Sequence, residues 1–291
     1  MPEKLRPRFV AELHGLCPGA EARVALSVVA PVFDEEQNLE PLYREVVAAL
    51  DGRDFELLLV DDGSRDRSAD VIRALHARDP RVRGVFFARN RGQSAALAAG
   101  IHAAAGELIA TLDADLQSDP ADLPALIAAL GMHDAVVGYR RVRNDNWLRR
   151  VSSRVANGVR NRLTGDSVRD TGCPLKLFRA DAIRAIPYFD GVHRFLPTLL
   201  RMHGFDVIEL GVSHRPRVAG KSKYGVRNRA LRALRDTFAI RWMRTRTIRF
   251  DLAEVHATRL ETSASPSSAA QAGVAAAGVA GPGVARVGSL R

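Results

Sequence analysis

The sequence predicts an α/β protein with a mostly parallel central sheet and helices on both of its faces. Two observations predict it. Short apolar or β-branched runs alternate with stretches of helical periodicity from Val24 to Arg140, the pattern of a parallel sheet joined by right-handed crossovers. Three acidic clusters, Asp34-Glu35-Glu36, Asp61-Asp62 and Asp113-Asp115, each follow one of those runs. In a parallel sheet the carboxyl ends of the strands share one edge, and ligands bind there.

The elements follow in order. Val24 to Val32 is a β-branched run ending at a proline-containing stretch, a buried strand. Leu39, Leu42, Tyr43, Val46, Val47 and Leu50 recur at helical spacing, so the next helix lays one apolar stripe on the sheet. Phe55 to Val60 is the second strand and ends in Asp61-Asp62-Gly63-Ser64, whose glycine suits an unusual turn. A helix carrying Val71, Ile72 and Leu75 leads to a third strand, Val82 to Ala88, and an alanine-rich helix spans Gly92 to Ala105. Leu108 to Leu112 is the fourth strand, a helix passes through Leu126, Ile127 and Leu130, and Ala135 to Gly138 is the fifth, leading to Tyr139 and Arg140.

Beyond Arg140 the composition changes. Residues 143–162 read as a polar, arginine-rich helix, and Val168 to Arg179 as a turn and a short strand. His193 to Pro197 opens a helix, Phe205 to Val212 is a strand, and His214 to Tyr224 is a basic loop. A last helix has Leu231, Leu234, Phe238 and Trp242 on one side with arginines around them. The expected organisation is a flexible leader over 1–22, a catalytic domain over 23–225, a basic amphipathic helix over 226–250 and a low-complexity tail over 251–291.

Composition narrows the function. The chain has 291 residues, 46% of them apolar and 26% charged, which is ordinary for a globular protein. Its formal charge of +10 is local: between Arg215 and Arg249 there are twelve Lys or Arg and one acid, Asp236. A basic face of this kind suits a membrane surface, a nucleic acid or a phosphorylated substrate. Two cysteines, Cys17 and Cys173, make neither a disulfide framework nor a zinc pattern and fit a reducing compartment. The expected location is therefore cytoplasmic. No stretch has the length and apolarity of a signal-peptide core or a membrane span. There is no G-x-G-x-x-G after the first strand and no G-x-x-x-x-G-K-[ST], so a dinucleotide site and a P-loop of the usual kind are disfavoured.

Glu107 to Pro120 (ELIATLDADLQSDP) carries the chemistry. Two carboxylates at the end of a buried strand repel unless a cation offsets them. Magnesium or manganese takes oxygen ligands and completes its shell with water and substrate phosphate. Asp113 and Asp115 are the candidate metal ligands.

Seven segments in order resemble the family 2 glycosyltransferases of GT-A fold, and more narrowly the polyprenyl-phosphate, dolichol-phosphate mannose synthase-like branch. They are APVFDEEQNL, LLVDDGSRDRS, RNRGQSAALAAGI, TLDADLQSDP, VVGYR, DTGCPLKLFR and PRVAGKSKYG. The resemblance implies that Pro31, Phe33, Glu35, Val60 and Asp62 hold the base and ribose of a nucleotide sugar, with Asp113 and Ala114 close by. It implies Asp113, Asp115 and Gln117 as the metal set, Arg140 near the diphosphate, and Arg217 and Lys223 on phosphates from a basic loop. Asp170 is the candidate base, with a turn-forming role as the alternative. Phe33 and Asp34 stand where tyrosine and asparagine are usual; Pro174 and Lys176 also depart from the pattern. His193 and Arg194 are read as surface helix residues, with a place facing the acceptor as the alternative, His214 as structural and Cys173 as a small buried residue.

The function this implies is metal-dependent, inverting transfer of a sugar from a GDP- or UDP-linked donor to a polyprenyl phosphate such as undecaprenyl phosphate. The enzyme would sit peripherally on the inner face of the cell membrane, its basic helix on anionic lipid or on a membrane protein partner. Two alternatives are a family 2 transferase acting on a hydroxyl of a surface polysaccharide and a basic nucleic-acid-binding domain. Nucleic acid fits poorly with acidic strand ends and few interleaved aromatics.

Overall fold

A computed structural model describes residues 24–141, 158, 160–216 and 226–246, with the side chains of the last helix described from Leu234 onward. The leader over 1–22, Cys17, most of the arginine-rich stretch 143–162, Arg217, Lys223, Leu231 and the tail over 251–291 lie outside the described residues or side chains.

Strands β1 (Leu26–Val32), β2 (Phe55–Asp61), β3 (Val82–Phe86), β4 (Leu108–Thr111), β5 (Ala135–Arg140), β6 (Lys176–Arg179) and β7 (Val207–Val212) form one seven-stranded sheet in the order β3-β2-β1-β4-β6-β5-β7. The helices are α1 (Leu39–Ala49), α2 (Ser68–Arg78), α3 (Gln93–Ala103), α4 (Leu123–Leu130), α5 (Ala180–Arg184), α6 (Leu196–Met202) and α7 (Val226–Arg246). Short 3-10 turns cover Pro120–Asp122 and Val192–Arg194.

The sheet is mostly parallel, as the sequence predicts, with one reversal that the alternation does not disclose. β6 runs antiparallel between β4 and β5, so those two are not neighbours. β1 lies parallel between β2 and β4. The three acidic clusters that follow β1, β2 and β4 are therefore adjacent on one edge.

Each face of the sheet has its own core. Leu39, Leu42 and Val46 of α1, Ile72 and Leu75 of α2 and Leu126 of α4 bury against one face with Val28, Leu57 and Leu177. On the other face α3 packs Ala96, Ala99 and Ala103 close to Val29, Leu58 and Val60. Small side chains let this helix approach the sheet closely, which brings its N-terminus to the acidic edge. Ile240 of α7 is fully buried in the same cluster.

Candidate active site

The first two acidic clusters bind one another through the backbone. Asp34, at φ 50°, accepts from Arg65 N at 2.7 Å, and Glu36 accepts from Arg67 N at 2.9 Å. Glu35 accepts from Asn38 Nδ2 at 2.6 Å. Asp62 is buried, and its two oxygens accept from Arg91 N at 2.6 Å, Gly92 N at 2.8 Å and Asn90 Nδ2 at 2.9 Å. Burial pushes its pKa up against those donors. Asp62 thus fixes the loop that leads into α3. The neighbouring Gly63 has φ 69°, and a Cβ there would meet Arg89 C at 2.6 Å, so only glycine lets the two loops close on each other.

Of the residues expected around a nucleotide, Pro31, Phe33 and Glu35 are half-buried on this edge. Val60 is not: its side chain is fully buried among Val29, Ala96 and Ala99, because alternate residues of a central strand face opposite cores. Ala114 is likewise buried, in the opposite core.

The end of β4 makes a sharp turn. Asp113 is half-buried and accepts from Gln93 Nε2 at 2.8 Å. Leu116, at φ 61°, is anchored in the core between buried Asp115 and half-buried Gln117. A bulky residue in the left-handed region is costly and persists only where its surroundings fix it. Gln117 N donates to Asp115 Oδ1 at 3.2 Å, and Gln117 O accepts from Arg215 N at 2.9 Å. Arg215 pairs with Glu45 at 2.8 Å and Asp119 at 2.6 Å, which locks the segment after β7 to this turn.

Arg140 at the end of β5 forms a bidentate pair with Asp170, at 2.7 and 2.9 Å, and Asp170 Oδ1 also accepts from Gly172 N at 3.1 Å. His214 feels Arg140, Asp115 and Asp170; burial first, then Arg140, holds its imidazole below the ordinary value, against Asp115. Lys176 on β6 is buried, donates from Nζ to Cys173 O, and is drawn down in pKa by burial against Cys173, Asp113 and Asp170. Burial also raises the pKa of the Cys173 thiol, so the group stays protonated.

Asp113, Cys173 and Lys176 are among the residues that line a cavity of about 190 Å³. Pro31, Thr111 and Asp113 line it from the strand ends, Gln93 from the first turn of α3, Thr171 to Pro174 and Lys176 from the β6 side, and His193 and Arg194 from the 3-10 turn. Among the described residues that line it, Asp113 is the only acid.

Asp113 and Asp115 offer hard carboxylate oxygens, and among the described residues no three His, Cys, Asp or Glu converge as a metal cluster. That donor set does not fit a closed zinc site. It fits magnesium or manganese, which bind through one or two carboxylates and take further oxygens from water and phosphate.

The family model Glycosyl transferase family 2 matches residues 27–186. The chain belongs to this family. Among curated relatives, the glycosyltransferase is 42% identical over 205 residues to the undecaprenyl-phosphate 4-deoxy-4-formamido-L-arabinose transferase of Edwardsiella ictaluri, covering 69% of this chain and 63% of that protein. It is 40% identical over 223 residues to the dodecaprenyl-phosphate galacturonate synthase of Rhizobium johnstonii, covering 74% of this chain and 66% of the relative. The chain thus spans less than two thirds of the length of these relatives. Its fold is similar to that of glucosyl-3-phosphoglycerate synthase from Mycobacterium tuberculosis, solved with Mn2+, UDP and glucosyl-3-phosphoglycerate, at a TM-score of 0.58 and 19% identity, covering 81% of this chain and 83% of the other. At that identity the likeness speaks for the GT-A fold alone.

The glycosyltransferase brings Asp113, Asp115, Gln117, Arg140 and Asp170 together. The expected phosphate contacts Arg217 and Lys223 lie outside the described residues. The sequence reading gave Gln93 no role, named Lys176 only as a departure from the pattern, and held a place facing the acceptor as the less favoured reading of His193 and Arg194. Gln93 stands inside RNRGQSAALAAGI, which carried the resemblance without a role. His193 and Arg194 are cavity residues and not the surface residues expected, because the turn that bears them folds over the N-terminus of α3.

Proposed function

We propose that this glycosyltransferase moves a sugar, with inversion, from a nucleotide-diphosphate donor to the phosphate of a polyprenyl phosphate such as undecaprenyl phosphate. One observation carries the choice of acceptor. Asp113, the only acid among the described residues lining the cavity, accepts from Gln93, while Asp170 nearby is paired with Arg140. A hydroxyl acceptor needs a general base. A phosphate monoester, with its second pKa near 6, is already an anion at neutral pH and needs none. Asp170 then serves to orient Arg140 and not as a base.

In this reading Pro31, Phe33, Glu35 and Asp62 hold the nucleotide, Val60 contributes backbone only, and Arg140 opposes the charge that grows on the leaving diphosphate. A magnesium or manganese ion on Asp113 and Asp115, with Gln117 beside them, would supply Lewis-acid stabilisation of the same charge. Arg217 and Lys223 extend the positive field. The relatives' names, which pair a sugar with undecaprenyl or dodecaprenyl phosphate, support the acceptor class.

Such an acceptor lies in a membrane, and among the described residues no helix is long and apolar enough to cross one. Helix α7 supports docking instead. Thr237 and Ile240 are buried against the domain, whereas Leu234, Phe238 and Trp242 are 44%, 53% and 62% exposed. Spaced i, i+4, i+8, they form one outward stripe, flanked by exposed Arg235, Arg241 and Arg246. An apolar stripe with an arginine border suits an anionic lipid surface. The proposed organisation is a catalytic domain over 23–225 and a docking helix over 226–250.

Incubation of the full chain with a panel of radiolabelled UDP- and GDP-sugars, Mg2+ or Mn2+, and undecaprenyl phosphate tests the reading. Label should enter the organic phase with at least one donor. Label that instead enters a polysaccharide acceptor would transfer the assignment to a hydroxyl-directed enzyme.

A further inference from the structure

The turn between Asp170 and β6 brings two buried donors to the cavity. Thr171 lines the cavity and is 8% exposed. Its Oγ1 accepts from Arg160 Nη1, and Arg160 Nη2 donates to Asn161 Oδ1 at 2.9 Å and to Val168 O at 3.0 Å. A guanidinium only donates, so the Thr171 hydroxyl proton cannot point back at Arg160. Among the described residues no acceptor takes that proton. Arg160 thereby leaves the Thr171 O–H to whatever fills the cavity.

Lys176 lines the same cavity from the first position of β6. It is 3% exposed, and among the described residues its ammonium makes one hydrogen bond, to Cys173 O, and no ion pair. Asp113 and Asp170 act on it only through their field; Asp113 accepts from Gln93, and Asp170 is paired with Arg140. An ammonium has three donors, and a buried one with a single neutral acceptor is costly unless a ligand brings the opposite charge. In register Lys176 stands opposite Thr111, two residues before Asp113. Thr111 Oγ1 donates to Pro174 O at 2.8 Å, which ties the turn to β4. A sugar hanging from a diphosphate held at the Asp113–Asp115 turn is the part of the donor that comes to this place. A neutral sugar can satisfy hydrogen bonds here but leaves the buried charge uncompensated. A carboxylate does both.

We propose that Lys176 and Thr171 recognise a carboxylate on the donor sugar, so that the group transferred is a hexuronic acid; this rests on the transferase reading above and names its substrate class. One carboxylate oxygen accepts from Lys176 Nζ and the other from Thr171 Oγ1. Arg160 is the positioning residue that turns the Thr171 hydroxyl toward the ligand. A uronate is ionised at neutral pH, so no proton moves on binding. Its carboxylate sits across the ring oxygen from the anomeric carbon, and recognising it leaves the bonds that form and break untouched.

Isothermal titration of the full chain with Mg2+ and no acceptor tests this without requiring turnover. The donors are compared in pairs: UDP-glucuronate with UDP-glucose, UDP-galacturonate with UDP-galactose, and GDP-mannuronate with GDP-mannose. In at least one pair the uronate should bind about tenfold tighter than the hexose. Lys176→Met should erase that preference, and Lys176→Arg should keep part of it. Thr171→Val, close in shape to the native residue, and Arg160→Met should each cut the preference severalfold, while Thr171→Ser should retain it. A merely structural role for the turn would weaken both members of a pair alike. Equal binding of uronate and hexose in every pair, or a preference that survives Lys176→Met and Thr171→Val, would overturn the inference and leave the transferase reading standing. A Lys176→Met protein that keeps the preference but loses citronellyl phosphate would assign the ammonium to the acceptor instead. Binding of no nucleotide sugar at all would overturn both readings.

Discussion

Asp62 and Asp115 carry the same functional group at the ends of β2 and β4, the two strands that flank β1, yet the structure uses them differently. Asp62 is spent on three donors that shape the loop before α3. Hydrogen bonds to a buried carboxylate contribute about 1.5–3 kcal/mol, so Asp62→Ala should lower stability by about 2–3 kcal/mol in urea unfolding and take activity down with it. Asp115 sits close to Asp113 on a strained turn held by Leu116. Asp115→Asn removes charge from a crowded acidic edge; transfer should fall by roughly 10²–10³ while the melting temperature holds or rises. A variant that keeps full transfer would remove Asp115 from the chemistry.

Among the elements, the corner between α2 and β3 shows how local chemistry fixes an edge strand. Asp79, which ends α2, accepts from Arg81 N, from the Arg81 guanidinium and from Tyr43 Oη. These donors, Arg81 foremost, hold its carboxyl down at about 2 against an ordinary 3.8. The folded pKa is the lower one, so the contribution is present above the ordinary value and is lost as pH falls towards about 2. Arg81 is 44% exposed, and solvent screening reduces the gain to about 1 kcal/mol. The stability gap between wild type and Asp79→Asn should therefore narrow between pH 5 and pH 2.5 in urea titrations.

The first four strands and their helices were legible because each carries its own period, and parallel strands put their carboxyl ends together without further information. β6 was legible as a strand but not in its direction: KLFR is short, and nothing within four residues states whether its neighbours are β4 and β5. In α7 the amphipathic pattern was plain, but the pattern does not say which side meets the domain. Ile240 with Thr237 does, leaving Leu234, Phe238 and Trp242 outward.

Across the whole molecule, the gathering of the acidic clusters on one edge, where a metal and a nucleotide are proposed to bind, was readable because those residues follow strands directly. The cationic side of the cavity was not. Lys176 looked like a substitution in a motif, and His193 lies 80 positions from Asp113 in sequence; only the contacts of α3 and α7 with the 3-10 turn join them. The charge asymmetry of the chain agrees with the proposed membrane dock. In a Trp147→Phe background, Trp242 fluorescence should shift to the blue with vesicles containing anionic phospholipid and not with neutral ones. Phe238→Ser should reduce vesicle affinity about tenfold, on the order of 1.4 kcal/mol. Unchanged partitioning would return the stripe to the solvent.

On the proposed docking, the outward stripe of α7 also sets which concentration governs the rate. An enzyme held at a lipid surface meets its acceptor in two dimensions. Adding more vesicles of fixed composition should leave turnover unchanged once the protein is bound. Spreading the same number of acceptor molecules among inert phospholipid should slow it, because the mole fraction of acceptor in the film, and not its molarity in the tube, is what the cavity samples.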